Sequence, residues 1–279
     1  MNHPDAESPD PGATQPYRTR IALGLSYSGS AYDGWQSQPS GRTVQDQLEL
    51  ALERFLNVPG INTLCAGRTD AGVHGLMQVV HFDCTVHRPE NAWVRGTNSF
   101  LPSDIAVQWA RQVPGTFHAR ASARSRRYAY VLLESPVRPS VEVGRVGWVF
   151  RTVQVDTMRK AAEALLGEHD FSSFRAAQCQ AHSPIKRMLN IAIERRGHYL
   201  RFEFEATAFL HHMIRNIMGC LIAVGTGARP AAWLTEVLQA RSRDAAAPTF
   251  SPDGLYFLGP RYDPEFALPD TTAAFDWLP

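Results

Sequence analysis

One carboxylate stands alone in a glycine-rich stretch, Ala66-Gly67-Arg68-Thr69-Asp70-Ala71-Gly72-Val73-His74-Gly75, where Asp70 is the only acid. Glycine on either side lets a substrate or another backbone approach closely. An ionised Asp70 there could act as a nucleophile or accept a proton. Asp in such a loop also serves as a turn former that bonds nearby amides, and Arg68 could equally be a surface residue. A second concentration of chemistry is cationic. Ile105 to Leu133 contains no acid but holds Arg111, Arg120, Arg124, Arg126 and Arg127, with Phe117, Tyr128 and Tyr130 interleaved. Arginine beside aromatic rings is what phosphate contact plus base stacking requires, although arginines on exposed faces also serve solubility alone. Two more acid-free stretches, Phe171 to Ile193 and Ala206 to Leu234, carry Arg175, Lys186, Arg187, Arg215 and Arg229. Three such segments could line one basic cleft.

The whole chain does not share this polarity. Lys plus Arg is 28 and Asp plus Glu is 27 over 279 residues, a formal net charge of +1, so no global field draws the protein to an anion and any such partner is met locally. With 44% hydrophobic and 20% charged residues, the chain can bury a sizeable core. Cys65, Cys84, Cys179 and Cys220 are scattered singly with no C-x-x-C pair, which argues against a zinc site and a disulfide framework. The pair His211-His212 invites a metal reading, but adjacent residues of a helix point in different directions and the spacing is not that of a zinc motif. We expect no metal there, and RNA contact or packing instead. Met1 to Pro16 carries acids and prolines where a secretion signal needs a basic end and an apolar run, so the expected location is the cytoplasm. The apolar stretch Met213 to Val224 is interrupted by Arg215 and Asn216 and falls short of the roughly 20 residues of a membrane span. It predicts a buried helix and no membrane insertion.

These residues need elements to position them. Residues 1–17 are rich in Pro, Asp and Ser and predict a disordered tail. Ile21 to Tyr27 reads as a strand, and Thr43 as the N-cap of a helix with Val44, Leu48, Ala51, Leu52 and Phe55 on one stripe. Ile61 to Ala66 and Met77 to Phe82 predict strands that place the Asp70 loop at a strand end. A helix at 89–100, strands at 105–109 and 128–133, and the turn Val113-Pro114-Gly115 follow. The second half predicts a helix at 156–166, a strand near 188–194, an alternating strand at 200–206 with one face to water, a helix at 209–224, another at 231–239 and a strand at 255–258. The architecture is α+β: an N-terminal lobe over 18–115 and a C-terminal lobe over 116–262, each on a mostly antiparallel sheet with packed helices, a basic cleft between them, and a C-terminal tail over 263–279.

The loop at 66–75, with Gln78-Val79-Val80-His81-Phe82 after it, resembles the signature of the tRNA pseudouridine synthase A family. Further segments resemble that family in the same order: Tyr32-Asp33-Gly34-Trp35-Gln36, Phe117-His118-Ala119-Arg120, Arg126-Arg127-Tyr128-Ala129-Tyr130, Leu166 to Phe174, Phe209-Leu210-His211-His212-Met213-Ile214-Arg215-Asn216, and Gly254-Leu255-Tyr256. The resemblance implies isomerisation of uridine to pseudouridine in the anticodon stem-loop of tRNA, by a homodimer, without metal, nucleotide or organic cofactor. By the same resemblance Asp70 is catalytic and Arg215 is its ion-pair partner, Tyr128 stacks on the target uracil, and Arg68 fills the space of the extruded base. Arg120, Arg126, Arg127, His211 and His212 are further expected RNA contacts. The segment His182 to Arg187 fits the family pattern only loosely. Two other classes remain: a tRNA-binding or RNA-chaperone protein using the same cleft without turnover, and a cysteine-dependent enzyme using Cys65 or Cys179.

Overall fold

The structure is a computed structural model that describes residues 18–269. The expected tail at 1–17, and residues 270–279 of the expected C-terminal tail, lie outside the described residues. In chain order the elements are β1 (Thr19–Tyr27), α1 (Val44–Leu56), β2 (Leu64–Cys65), β3 (His74–Cys84), α2 (Glu90–Asn98), β4 (Ile105–Val113), β5 (Ser125–Glu134), β6 (Gly147–Val149), α3 (Val155–Ala162), β7 (Gly167–Asp170), β8 (Ile185–Arg196), β9 (Tyr199–Ala206), α4 (Met213–Gly225), α5 (Trp233–Ala240) and β10 (Leu255–Arg261). The strands form one sheet in the order β4-β1-β3-β10-β5-β9-β8-β7, with β2 beside β3 and β6 beside β5. Every pairing is antiparallel except β10 with β3 and β6 with β5. The α+β class is as the sequence predicts, with antiparallel strands in both halves. Strand β10, from the end of the chain, joins those halves: it pairs with β5 along its length and with β3 at Tyr256–His74 and Phe257–Gly75.

Each half has its own core. Leu23, Leu25, Trp35, Leu48, Leu52 and Trp93 cluster in the first half, and Tyr130, Phe171, Phe202, Phe204, Ile217 and Leu221 belong to the larger cluster of the second. A fully buried side chain of this size contributes about 1.5–3 kcal/mol, so the two clusters account for why both halves order. Strand β5 is covered on both faces, with Tyr128, Tyr130 and Leu132 toward the large core and Ala129, Val131 and Leu133 toward a third cluster with Tyr256 and Leu258. After β10, Phe266 lies against Phe117 with ring centroids 5.1 Å apart.

Local signals explain most boundaries. Thr43 caps α1, its Oγ1 accepting a hydrogen bond from the Asp46 amide. The strand expected at 61–66 shrinks to Leu64–Cys65. The amides of Ile61 and Thr63 are bonded instead by Glu53 and Glu49 of α1, so their backbone groups have partners outside a ladder. The helix expected from Phe209 begins only at Met213, because His212 takes the left-handed conformation with φ 61° and ends any helix at that point. In β9 the face carrying Arg201, Glu203 and Glu205 is half-buried rather than open to water, since β9 lies inside the sheet and Glu205 accepts from Ser125 and pairs with Arg261. Among the described residues no helix is long and apolar enough to cross a membrane.

Helix α4 packs so closely on the segment before β10 that a Cβ on Gly219 would lie 2.2 Å from the Pro248 carbonyl oxygen. Alanine raises helix propensity by about 1 kcal/mol, but overpacking a tight site costs about 1–3 kcal/mol and here the obstacle is backbone. Gly219→Ala should therefore destabilise the protein by up to about 2 kcal/mol in urea unfolding, and a stabilised variant would contradict this packing.

Candidate active site

The Asp70 loop links β2 to β3 and is tied at each step. The Ala66 amide donates to Val79 O at 2.8 Å, Gln78 Nε2 donates to Gly67 O at 2.6 Å, and the Trp35 amide donates to Thr69 O at 3.0 Å. Tyr27 Oη and Thr69 Oγ1 share a hydrogen bond of 2.8 Å inside the protein. Beyond Asp70 the Val73 amide donates to the Asp70 carbonyl, closing a turn. The loop can lie this near the segment at 32–35 because Gly34 has φ +97° and no side chain. A Cβ there would sit 2.8 Å from Thr69 O.

Around the Asp70 carboxylate the chain gathers basic side chains from 141 to 145 residues away along the sequence. His211 Nε2 lies 3.3 Å from Oδ1, His212 Nε2 lies 3.6 Å from Oδ2, and Arg215 Nη1 donates to Oδ2 at 3.3 Å. The left-handed backbone at His212 lets two consecutive residues face one carboxylate, with ring centroids 4.0 Å apart, which neighbours in a helix cannot do. Arg215 is held from the other side by its Nε, which donates to Phe250 O at 2.8 Å. Buried Asn216 donates to Phe174 O and accepts from Thr249, fixing the first turn of α4. The His211 amide donates to Cys179 Sγ at 3.4 Å. The aromatic wall is Tyr128, 7% exposed, between Phe257 at 4.8 Å and Phe209 at 5.0 Å.

The electrostatics follow. Burial alone would raise the Asp70 carboxyl, but the hydrogen bond from His211 and the charges of His212, His211 and Arg215 outweigh it and hold the group below its usual value. The bond to Asp70 pushes His211 up against the opposing effect of burial. His212 moves the other way, because burial disfavours its cation and His211, Arg215 and Arg243 add like-charge repulsion against the pull of Asp70. One imidazole is thus favoured as a cation and the other as a neutral base. Burial, with the nearby Tyr27 and Asp70, pushes the Tyr128 phenol far up, so it stays protonated. Burial also pushes the Cys65 thiol up to about 11, which leaves it a poor nucleophile. Asp70, His211 and His212 present ligand atoms within 4.8 Å of one another, a spacing a metal ion could bridge, but the Arg215 guanidinium already places a positive charge at that carboxylate.

Of the residues singled out from the sequence, the fold brings Asp70, Tyr128, His211, His212 and Arg215 together. Arg68 and Arg120 are exposed, Arg127 is half-buried, and Arg126 turns its guanidinium to backbone carbonyls. The supports not singled out are Tyr27, Thr69 and the Phe250 carbonyl, while Cys179, singled out as a possible nucleophile, accepts from the His211 amide. Only Tyr27, a hydroxyl on an inward strand position, leaves any trace in the sequence, since the others act through backbone or through contacts far apart in the chain.

Such a scaffold, with one desolvated and ionised carboxylate, cations from the far half of the chain and an aromatic wall, is that of an enzyme working by acid–base or nucleophilic catalysis on an anionic substrate. The chain matches the family profile described as tRNA pseudouridine synthase over residues 25–120 and 161–263. It is 70% identical over 264 residues to the tRNA pseudouridine synthase A of Polaromonas naphthalenivorans (strain CJ2), covering 93% of this chain and 100% of that protein. It is 66% identical over 278 residues to the protein of the same name from Paracidovorax citrulli (strain AAC00-1), at 93% and 100% coverage. This chain belongs to the tRNA pseudouridine synthase family.

The opposed shifts have a sign that can be checked. Asp70, lowered in the fold, contributes stability above its unfolded value that is lost as pH falls through the folded one. His211, raised, contributes stability below its unfolded value of 6.5 that is lost as pH rises through the folded one. In an NMR titration His211 should titrate above 6.5 and His212 below it. Asp70→Asn should bring His211 down, because the anion that favours its cation is gone. An unmoved His211 would refute the pairing.

Proposed function

We propose that this chain isomerises uridine to pseudouridine in the anticodon stem-loop of tRNA, with Asp70 as the catalytic residue. The observation that carries the reading is the ionised Asp70 carboxylate, largely out of water and within electrostatic reach of Tyr128, in a chain of this family. The reaction breaks the bond from N1 of uracil to C1′ of ribose, turns the base and joins C5 to the same C1′, with the proton lost from C5 to solvent matched by one taken up at N1. Atoms and electrons balance within the substrate, so no redox partner or group donor is required, and the reading includes no cofactor and no metal.

The residues divide the work by their chemistry. Asp70 attacks the ribose or base, or takes a ribose proton, and its ionised state serves each route. Arg215 keeps it ionised and orients it from α4. A uridine inside a stem cannot reach a carboxylate at the floor of a cleft, so it leaves the stack at a cost of a few kcal/mol. Tyr128 then meets the extruded uracil at the part of its ring that Phe209 and Phe257 leave open, and the exposed Arg68, two residues from Asp70, fills the vacated place with a planar cation. Exposed Arg120 and half-buried Arg127 meet the surrounding RNA together with His211 and His212 beside Asp70. A homodimer fits this reading, since a chain of net charge +1 offers phosphate only local patches and a second copy enlarges them. The cytoplasm, where tRNA is modified, is the matching location.

Tritium release from tRNA transcript labelled at uracil C5 tests the reading. Wild type should release tritium, and Asp70→Asn should lose at least about 100-fold in rate while its tRNA affinity stays within about threefold. Tight tRNA binding with no release by wild type would leave an RNA-binding protein in place of a synthase.

A further inference from the structure

Arg126 stands among five acid-free-segment arginines whose sequence context suggests RNA contact, yet its guanidinium faces the protein. Nε and Nη2 both donate to Ala66 O, at 3.3 and 3.1 Å. Nη1 donates to Ala123 O at 3.1 Å and to Thr207 O at 2.9 Å, and Nη2 donates also to Arg120 O. Every N–H of the guanidinium therefore has a carbonyl acceptor, and none is left for a phosphate. Charge-assisted bonds of this kind are about twice as strong as neutral ones, and burial pulls the Arg126 pKa down, as expected for a cation withdrawn from water.

The four carbonyls lie in three segments of the chain. Ala66 begins the Asp70 loop, and Arg120 with Ala123 forms the turn entering β5. Thr207 follows β9, four residues before His211. Arg126 itself lies on β5 two residues from Tyr128, with its Cα opposite Ala206 of β9. One side chain thus links the segments that carry the carboxylate, its cations and the aromatic wall.

We propose that Arg126 is a positioning residue: it holds the Asp70 loop in register with Tyr128 and the His211–Arg215 segment, and makes no contact with RNA. The assignment of what is positioned rests on the proposed synthase activity, while the absence of RNA contact does not. The two roles differ in what they change. A lost phosphate contact weakens binding and lowers the salt slope by about one, whereas a displaced catalytic group lowers turnover with binding kept, about 100-fold for a shift near 1 Å.

The test combines Arg126→Lys and Arg126→Ala with a measurement on the unaltered protein. Single-turnover tritium release should fall by about 10–100-fold in both variants, with tRNA Kd within about threefold and the salt slope unchanged. Lysine should not rescue, because a point ammonium cannot reproduce the fork, while added guanidinium should restore part of the rate of Arg126→Ala. Thermal unfolding separates these losses from failure to fold. In wild type, the Arg126 Nε–H should exchange slowly with solvent and keep its NMR shift on adding tRNA, a readout that stands even if both variants fail to fold. Weaker tRNA binding and a smaller salt slope with turnover kept, unchanged kinetics in both variants, or a tRNA-induced shift of the Arg126 Nε–H would each overturn the proposal. No release by wild type would instead count against the synthase reading, with the NMR result still deciding on RNA contact.

Discussion

An ionised carboxylate held largely out of water is the constraint that the rest of the molecule answers. Left alone in such a place, Asp70 would take up a proton, since burial disfavours its charge. It stays ionised because Arg215, His211 and His212 are brought to it from the far half of the chain. Removing one partner of a buried ion pair costs about 3–5 kcal/mol, so geometry here is also stability. Each supporting feature follows from that need: the capped turn of the Asp70 loop, the left-handed His212, the Phe250 carbonyl behind Arg215 and buried Asn216 under the first turn of α4.

The two sides of this pairing are fixed to each other by the sheet. The carboxylate comes from the strand system β1-β3-β4 and the cations follow β9, and the strand that bonds both systems is β10. Its parallel contact with β3 is two residue pairs long, at His74 and Gly75, directly after the Asp70 loop. The carbonyls of Ser251 and Asp253, just before β10, accept from Tyr130 Oη and lie against His74 Nε2. The junction of the halves and the site are therefore one piece of structure.

How much of this the sequence discloses depends on the range over which each feature is decided. Thr43, Asp46 and the stripe behind them announce α1, because capping and periodicity are local. The alternation in β9 gives its strand and its buried face, though the burial of its polar face depends on strands that close on either side. The start of α4 could not be placed from periodicity, since Phe209 and Leu210 fit the helical pattern and one left-handed residue, His212, overrides it. That same residue decides whether the two histidines diverge or converge on Asp70. The loop around Asp70 stands out by its glycines, and the motif resemblance singles out Arg215 as its partner. Nothing local tells that the Phe250 carbonyl orients Arg215, or that Glu49 and Glu53 replace most of an expected strand.

Charge shows the limit of counting most clearly. The acid-free segment from Ile105 to Leu133 looks like a continuous cationic surface, but Arg111 pairs with Glu90, Arg124 pairs with Asp263 and Arg126 bonds backbone carbonyls. Acids distant in sequence neutralise what the segment lacks locally. The positive charge near Asp70 then comes from fewer groups than the count suggests: His211 and Arg215 lie against its carboxylate, and exposed Arg68 and Arg120 act on the Cys65 thiol at the start of its loop. Because Asp70 cancels only one charge, these leave an excess of cation around a single carboxylate within a chain of net charge +1. Such an excess acts on a mobile anion over about a Debye length of 8 Å at physiological salt, so it is a property of this part of the surface and not of the chain as a whole.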